Sequence, residues 1–308
     1  MTALGEERLA PANGIEIAYQ EIGDTGGEPL FLIMGLATQL LGWDEKFCAL
    51  LAERGYRVVR FDNRDVGHST KIDEAGVPKR TDLFRGRRST AAYLLSDMAA
   101  DTSGLMDHLG VDSAHVVGAS MGGMIGQTLA IERPDRVRSL TSIMSNTGRR
   151  GPRYFPSLKA MRVLMAPSQR DREDHLEQVA QTFEVIGSPG YPRDDERVRE
   201  IVGASYDRCH HPRGVIRQIH AVTASGDRTE RLRSVRTPTL VIHGDSDPLV
   251  RPAGGRLTAK AIPDAKLLMV EGMGHDLPRQ LWPQFAEEID ANAARARRGE
   301  PQGATVAA

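Results

Sequence analysis

His115-Val116-Val117-Gly118-Ala119-Ser120-Met121-Gly122-Gly123-Met124-Ile125-Gly126-Gln127-Thr128-Leu129-Ala130-Ile131 is the stretch on which the reading of this chain turns. His115-Val116-Val117 is short and β-branched, the pattern of a buried strand. From Gly123 to Ile131 the run reads as the start of a well-packed helix. Between them a serine sits on a turn too tight for ordinary side chains, with a glycine two residues before it and another two after. That Gly-x-Ser-x-Gly spacing predicts an elbow presenting a serine hydroxyl at the top of an α/β sheet. The pentapeptide alone is common by chance, so the flanking strand and helix are what give it meaning.

A serine hydroxyl is a poor nucleophile until a base accepts its proton, and a base of this kind is oriented by a carboxylate. On such a sheet the three follow the chain order Ser, Asp, His. Thr239-Leu240-Val241-Ile242 reads as another buried strand and runs into His243-Gly244-Asp245-Ser246-Asp247-Pro248, a turn-forming loop. Ala265 to Val270 has a strand pattern, followed by the loop Glu271-Gly272-Met273-Gly274-His275-Asp276. Ser120, Asp247 and His275 therefore each follow a predicted strand and would emerge at one sheet edge, where open α/β sheets place their sites. Asp245 is the competing acid, but so close to the strand end it reads as a turn former. His243 precedes Asp247 and reads as the end of its strand. His68, His108, His115, His175, His210, His211 and His220 read as surface, lid or packing residues.

The same chemistry needs donors for a developing oxyanion. Pro29-Leu30-Phe31-Leu32-Ile33-Met34-Gly35-Leu36 reads as a central strand closing on a glycine. In this arrangement one backbone N–H comes from the residue after the nucleophile, here Met121, and the other from the loop after the third strand, here Leu36.

Ile33-Met34-Gly35-Leu36, Arg60-Phe61-Asp62-Asn63-Arg64-Asp65-Val66-Gly67-His68-Ser69, the Ser120 elbow and Gly272-Met273-Gly274-His275 together resemble the α/β-hydrolase superfamily. Within it the chain is similar to aclacinomycin methylesterase-like carboxylesterases, over nearly its whole length apart from the lid and the tail. The resemblance implies a mainly parallel eight-stranded sheet with helices on both faces and an inserted helical lid. It puts the triad on Ser120, Asp247 and His275, the oxyanion donors on Leu36 and Met121, and ester hydrolysis at the site, methyl esters included. Many superfamily members carry His-Gly where this chain has Met34-Gly35; the esterase subgroup also has Met-Gly. The loop from Asp62 to Ser69 is structural in the family, which makes Arg64 and Asp65 a loop-bracing pair.

Forty Lys and Arg against forty-one Asp and Glu leave a net charge of −1, which argues against dedicated nucleic-acid binding. The N-terminus has neither a basic start nor an apolar stretch, so no secretory signal is expected, and no run approaches a membrane span. Cys48 and Cys209 read as free thiols in a reducing compartment, and a cytoplasmic location is expected. Cys209-His210-His211 lacks a second cysteine pair, so a zinc site is rejected; no metal and no cofactor is expected.

The chain divides at a change of pattern. Residues 1–148 read as the first part of the core: an antiparallel hairpin, Ile15 to Glu21 returning near Leu30, then strands near Arg57 to Phe61, His115 to Val117 and Ser139 to Met144 alternating with helices. Residues 149–233 show no strand-like run. Charged helical stretches, Asp171 to Ile186 and Asp194 to Cys209, are divided there by prolines and read as an inserted lid. Residues 234–293 return to the core, ending in a helix from Leu281 to Ala293, and 294–308 read as a disordered tail. Met161, Leu164, Met165, Phe183 and Ile186 lie at spacings compatible with one apolar helix face, and Met161, Met165 and Phe183 are the candidate substrate contacts, with packing as their commoner role. Three functions compete: carboxylic-ester hydrolysis through an acyl-enzyme on a small or medium apolar ester; acyl transfer, or amide or carbon–carbon cleavage, by the same triad; and slow-turnover ligand binding. The partner expected is a small-molecule ester, and monomer and dimer both remain open.

Overall fold

Leu30-Phe31-Leu32-Ile33 is apolar at every position because both faces of its strand are covered. The computed structural model of the protein describes residues 4–299. Its strands are β1 (Arg8–Ala12), β2 (Ile15–Ile22), β3 (Glu28–Ile33), β4 (Tyr56–Phe61), β5 (Ala114–Ala119), β6 (Val137–Ile143), β7 (Thr239–Gly244) and β8 (Lys266–Val270). Its helices are α1 (Glu45–Ala52), α2 (Arg80–Arg85), α3 (Leu95–His108), α4 (Met121–Glu132), α5 (Leu158–Leu164), α6 (Arg172–Ile186), α7 (Asp195–Arg208), α8 (Pro212–Ser225), α9 (Thr229–Leu232), α10 (Pro252–Ala261) and α11 (Trp282–Arg297). Phe31 and Ile33 pack into the layer that holds α3 and α4, while Leu30 and Leu32 pack against α1 and α11. The period-two alternation thus divides one strand between two cores. Burying each such side chain contributes about 1.5–3 kcal/mol.

The eight strands form one sheet in the order β1-β2-β4-β3-β5-β6-β7-β8. Strands β3 to β8 run parallel, and β1 and β2 are joined antiparallel at the β4 edge. This is the α/β-hydrolase fold expected from the sequence. One local expectation fails. The chain from Ile15 to Glu21 does not return on itself near Leu30, since β2 pairs with β1 and β4 whereas β3 lies between β4 and β5. The hairpin is β1–β2, closed by Asn13-Gly14 with φ of 50° and 79°, the backbone a tight two-residue turn demands.

The last helix also runs further than the sequence suggested. Ala294 to Arg297 continue α11, because Ala293 is fully buried and the Arg295 guanidinium donates to the Thr239 carbonyl at 3.3 Å and the Asp264 carbonyl at 3.0 Å. Arg298 caps the helix, and residues 300–308 of the expected tail lie outside the described residues. Between β6 and β7 stand helices α5 to α9 and no strand. Helices α6 and α7 begin where aspartates cap them. The Asp171 carboxylate accepts from Glu173 N–H at 2.9 Å, and that of Asp194 from Arg197 N–H at 3.1 Å. No described helix is long and apolar enough to cross a membrane. Cys48 and Cys209 are both free thiols; Cys48 is buried, which pushes its thiol up to about 12.

Candidate active site

Ser120 follows β5 and caps α4 with φ of +54° and ψ of −116°, a backbone that L-residues rarely adopt. The glycines around it answer to close approach. A Cβ on Gly118 would lie 2.2 Å from the Gly122 carbonyl oxygen, and one on Gly122 would lie 2.0 Å from the Ile33 oxygen. Ser120 N–H donates to Ile143 O at 2.8 Å, which ties the elbow to the neighbouring strand.

The loops after β7 and β8 bring the other two residues to it. His275 Nε2 stands 3.0 Å from Ser120 Oγ, and His275 Nδ1 stands 2.7 Å from Asp247 Oδ2. Asp247 is 1 % exposed, and its other oxygen accepts from the Leu249 and Val250 N–H groups, both at 2.8 Å. With Asp247 ionised, His275 donates from Nδ1, which leaves Nε2 free to accept the serine proton. Asp245 is exposed and turned elsewhere: it accepts from Gly272 N–H at 2.9 Å and from the Ser246 hydroxyl. His243 lies inside β7, fully buried, with Nε2 donating to Val250 O at 2.7 Å. Burial holds its pKa down, against the pull of Asp247 3.8 Å away, so a neutral ring flanks the carboxylate.

Met121 follows Ser120 directly as the first residue of α4, and Leu36 lies in the loop after β3, next to Gly35. Gly35 is so close that a Cβ there would sit 3.2 Å from Ser120 Cβ and 3.8 Å from Ser120 Oγ. Leu36 N–H meets no acceptor among the described residues. Met121 N–H, first in α4, has no acceptor within its helix. The loop that carries Leu36 is held by residues that sequence reasoning missed. Asn63 donates to Met34 O at 2.9 Å, and the fully buried Gln218 accepts from Ala37 N–H at 3.0 Å while donating to Arg64 O at 2.8 Å. A buried glutamine on a helix carries no motif, so nothing in the one-dimensional pattern could have marked Gln218.

Arg64 and Asp65 do brace their loop, but not as a pair with each other. Arg64 donates to Asp101 of α3 at 2.6 Å, and Asp65 accepts from Arg217 of α8 at 2.7 and 2.8 Å and from the Tyr93 hydroxyl at 2.6 Å. Met161, Met165 and Phe183 are half-buried but do not share one helix face. Met161 is on α5, Met165 ends it, and Phe183 is on α6, because the chain breaks at Pro167 and restarts at the Asp171 cap. They line neither of two cavities. One, of about 100 Å³, lies beside Ala37 and Gln39 under His175, Tyr206 and His210. The other, of about 410 Å³, opens at the opposite edge of the strands around Glu28, His115, Arg138 and Arg297, remote from Ser120. Among the described residues no group of His, Cys, Asp and Glu could hold a metal ion.

A family model described as alpha/beta hydrolase fold matches residues 28–184 and 165–278. The chain is 29% identical to rhodomycin D methylesterase of Streptomyces peucetius, over 94% of this chain and 98% of that protein. It is 25% identical to 3-oxoadipate enol-lactonase 2 of Acinetobacter baylyi, over 84% and 86%. Its fold is similar to the crystal structure of the enol-lactonase from Burkholderia xenovorans, with a TM-score of 0.70 and 23% identity over 93% of this chain and all of that one.

Proposed function

The chain belongs to the α/β-hydrolase fold family, and on that premise we propose that it hydrolyses carboxylic esters through an acyl-enzyme on Ser120. The observation that carries the reading is the unbroken hydrogen-bond line from Asp247 through His275 to Ser120, at 2.7 and 3.0 Å. Ser120 Oγ attacks the ester carbonyl carbon as His275 Nε2 takes its proton. The carbonyl oxygen, now carrying the negative charge, is met by the N–H groups of Leu36 and Met121. Asp247 stabilises the imidazolium, which then protonates the departing alkoxide as the C–O bond breaks. A water, deprotonated by the same ring, attacks the acyl-enzyme; the proton returns to Ser120 and the acid is released.

Similarity to a methylesterase and an enol-lactonase supports an ester of small or medium size, methyl esters included. Helices α5 to α9, within residues 149–233, serve as the lid over the site, and the partner is that small-molecule ester. Ser120→Ala should fold normally and lose roughly 10⁴- to 10⁶-fold in kcat on p-nitrophenyl esters, since members of such a unit fail together. A fluorophosphonate should label the wild type on Ser120 alone, with a p-nitroanilide control turned over far more slowly. Labelling that persists in the alanine variant would overturn the assignment.

A further inference from the structure

The loop that carries His275 changes partners halfway along. From β8 to Met273 it is held by the loop after β7: Asp245 N–H donates to Val270 O at 3.0 Å, and Ser246 N–H to Met273 O at 3.1 Å. At Gly274 the partners become those of the inserted helices. Gly274 N–H donates to Ser188 Oγ at 2.8 Å, and His275 N–H donates to Ile186 O at 2.7 Å. Ile186 ends α6, so its carbonyl is one that the helix cannot satisfy itself. The Ser188 hydroxyl donates to Asp276 Oδ1, and Gly190 N–H donates to Gly272 O at 2.9 Å.

At its glycines the seam is backbone against backbone. A Cβ on Gly274 would lie 2.3 Å from Gly187 O, and one on Gly190 would lie 2.8 Å from Gly272 Cα. At those two contacts no side chain stands between to absorb a relative shift of the segments, and the Ser188 hydroxyl is the side-chain link across them. Asp276 is half-buried, and burial pushes its carboxyl up, only partly offset by the bond from Ser188.

We propose that Ser188 is a positioning residue for the base. Its hydroxyl joins Gly274 N–H and Asp276, and so fixes how the His275 ring is offered to Ser120. The inference rests on the proposed triad and deepens it: the segment that covers the site also mounts its base. Substrate contacts that settle α6 therefore settle the imidazole as well, and a loosened mount costs rate, not binding.

The test measures Ser188→Ala and Ser188→Thr beside Ser120→Ala on p-nitrophenyl esters. Ser188→Ala should lose roughly 10- to 100-fold in kcat with KM changed by no more than about twofold, as expected for a misplaced reacting group. The low-field NMR proton of the Asp247–His275 hydrogen bond should broaden or move. Ser188→Thr, which keeps the hydroxyl, should recover most of kcat. Asp276→Leu removes the other partner and should give the same kcat-selective loss, so the test stands even if one variant folds poorly. Wild-type kcat in Ser188→Ala or in Asp276→Leu overturns the proposal, as does a loss that threonine does not restore or one carried by KM. Those outcomes with an inactive Ser120→Ala sink this inference alone; full turnover in Ser120→Ala sinks the function beneath it.

Discussion

At Ser120 the backbone holds a conformation that costs about 1–3 kcal/mol, and three hydrogen bonds keep it there: the one to Ile143 O, and those from the Gly123 and Met124 N–H groups that turn back to the Ser120 carbonyl. Asp247 and Asp245 stand two residues apart, and only the first reaches the imidazole. Asp247→Asn should keep the two backbone bonds to its Oδ1 while offering an N–H toward His275 Nδ1, forcing the wrong tautomer. We expect a kcat loss of about 10³- to 10⁴-fold, with less than about tenfold for Asp245→Asn, both read from ester turnover of folded protein. The reverse ranking would move the acid to Asp245. The convergence of Ser120, Asp247 and His275 was legible because each sits in a turn with its own local chemistry, glycines at the elbow, the Gly244-to-Pro248 turn after β7 and the Gly274-His275 bend after β8. The individual contacts of Asn63, Gln218 and Ser188 were not, because a polar side chain that braces a loop 29, 181 or 86 residues away leaves no local pattern.

Among the elements, α8 is fixed to the β4 loop by charge. Arg217 is buried at 1 % exposure against the wholly buried Asp65. Burial alone would raise the Asp65 carboxyl, but bonds from Arg217, Tyr93 and the Ile72 N–H outweigh it and hold the group below its ordinary value. Such a carboxylate adds stability above its unfolded pKa, and that stability is lost as pH falls through the folded one. Arg217→Met reverses the sign by leaving the charge buried without its ion-pair partner, with only the Tyr93 hydroxyl and the Ile72 N–H to meet it. The variant should lose about 3–5 kcal/mol in urea unfolding near pH 7. Its deficit against wild type should narrow near pH 4.5, because protonating Asp65 then relieves the folded state; a deficit constant with pH would show that lost packing, not charge, is at fault. The starts of α6 and α7 were legible at Asp171 and Asp194, where a short acceptor precedes a helical run. The β1–β2 hairpin was missed although Asn13-Gly14 announces it, because the more apolar β3 drew the pairing instead.

Over the whole molecule, alternating strands and helices made a doubly covered sheet legible, but not its order. Placing β3 between β4 and β5 is a choice among distant partners that no stretch of sequence encodes. On the proposed function, the core carries the chemistry and the inserted helices the selection. Where Met161, Met165 or Phe183 walls the substrate pocket, enlarging or trimming it should shift the preferred acyl length of ester substrates by roughly tenfold or more in kcat/KM, since a methylene in an apolar pocket is worth about 1–3 kcal/mol. Fluorophosphonate labelling should persist; an unchanged chain-length profile with lowered stability would make these residues packing only. The Ile186 carbonyl that accepts the His275 amide has a bearing on how such a protein diversifies. An inserted cover joined to its scaffold only at its two ends could be traded between lineages as a module. Here the insertion is also grafted midway onto the loop of the base, so a transplanted segment must reproduce that junction at Ile186 to Gly190 or leave the imidazole without its support. Variation that respects the graft, through substitutions along α5 and on the free turns of α6, is the route by which this architecture can acquire new preferences while keeping its machinery.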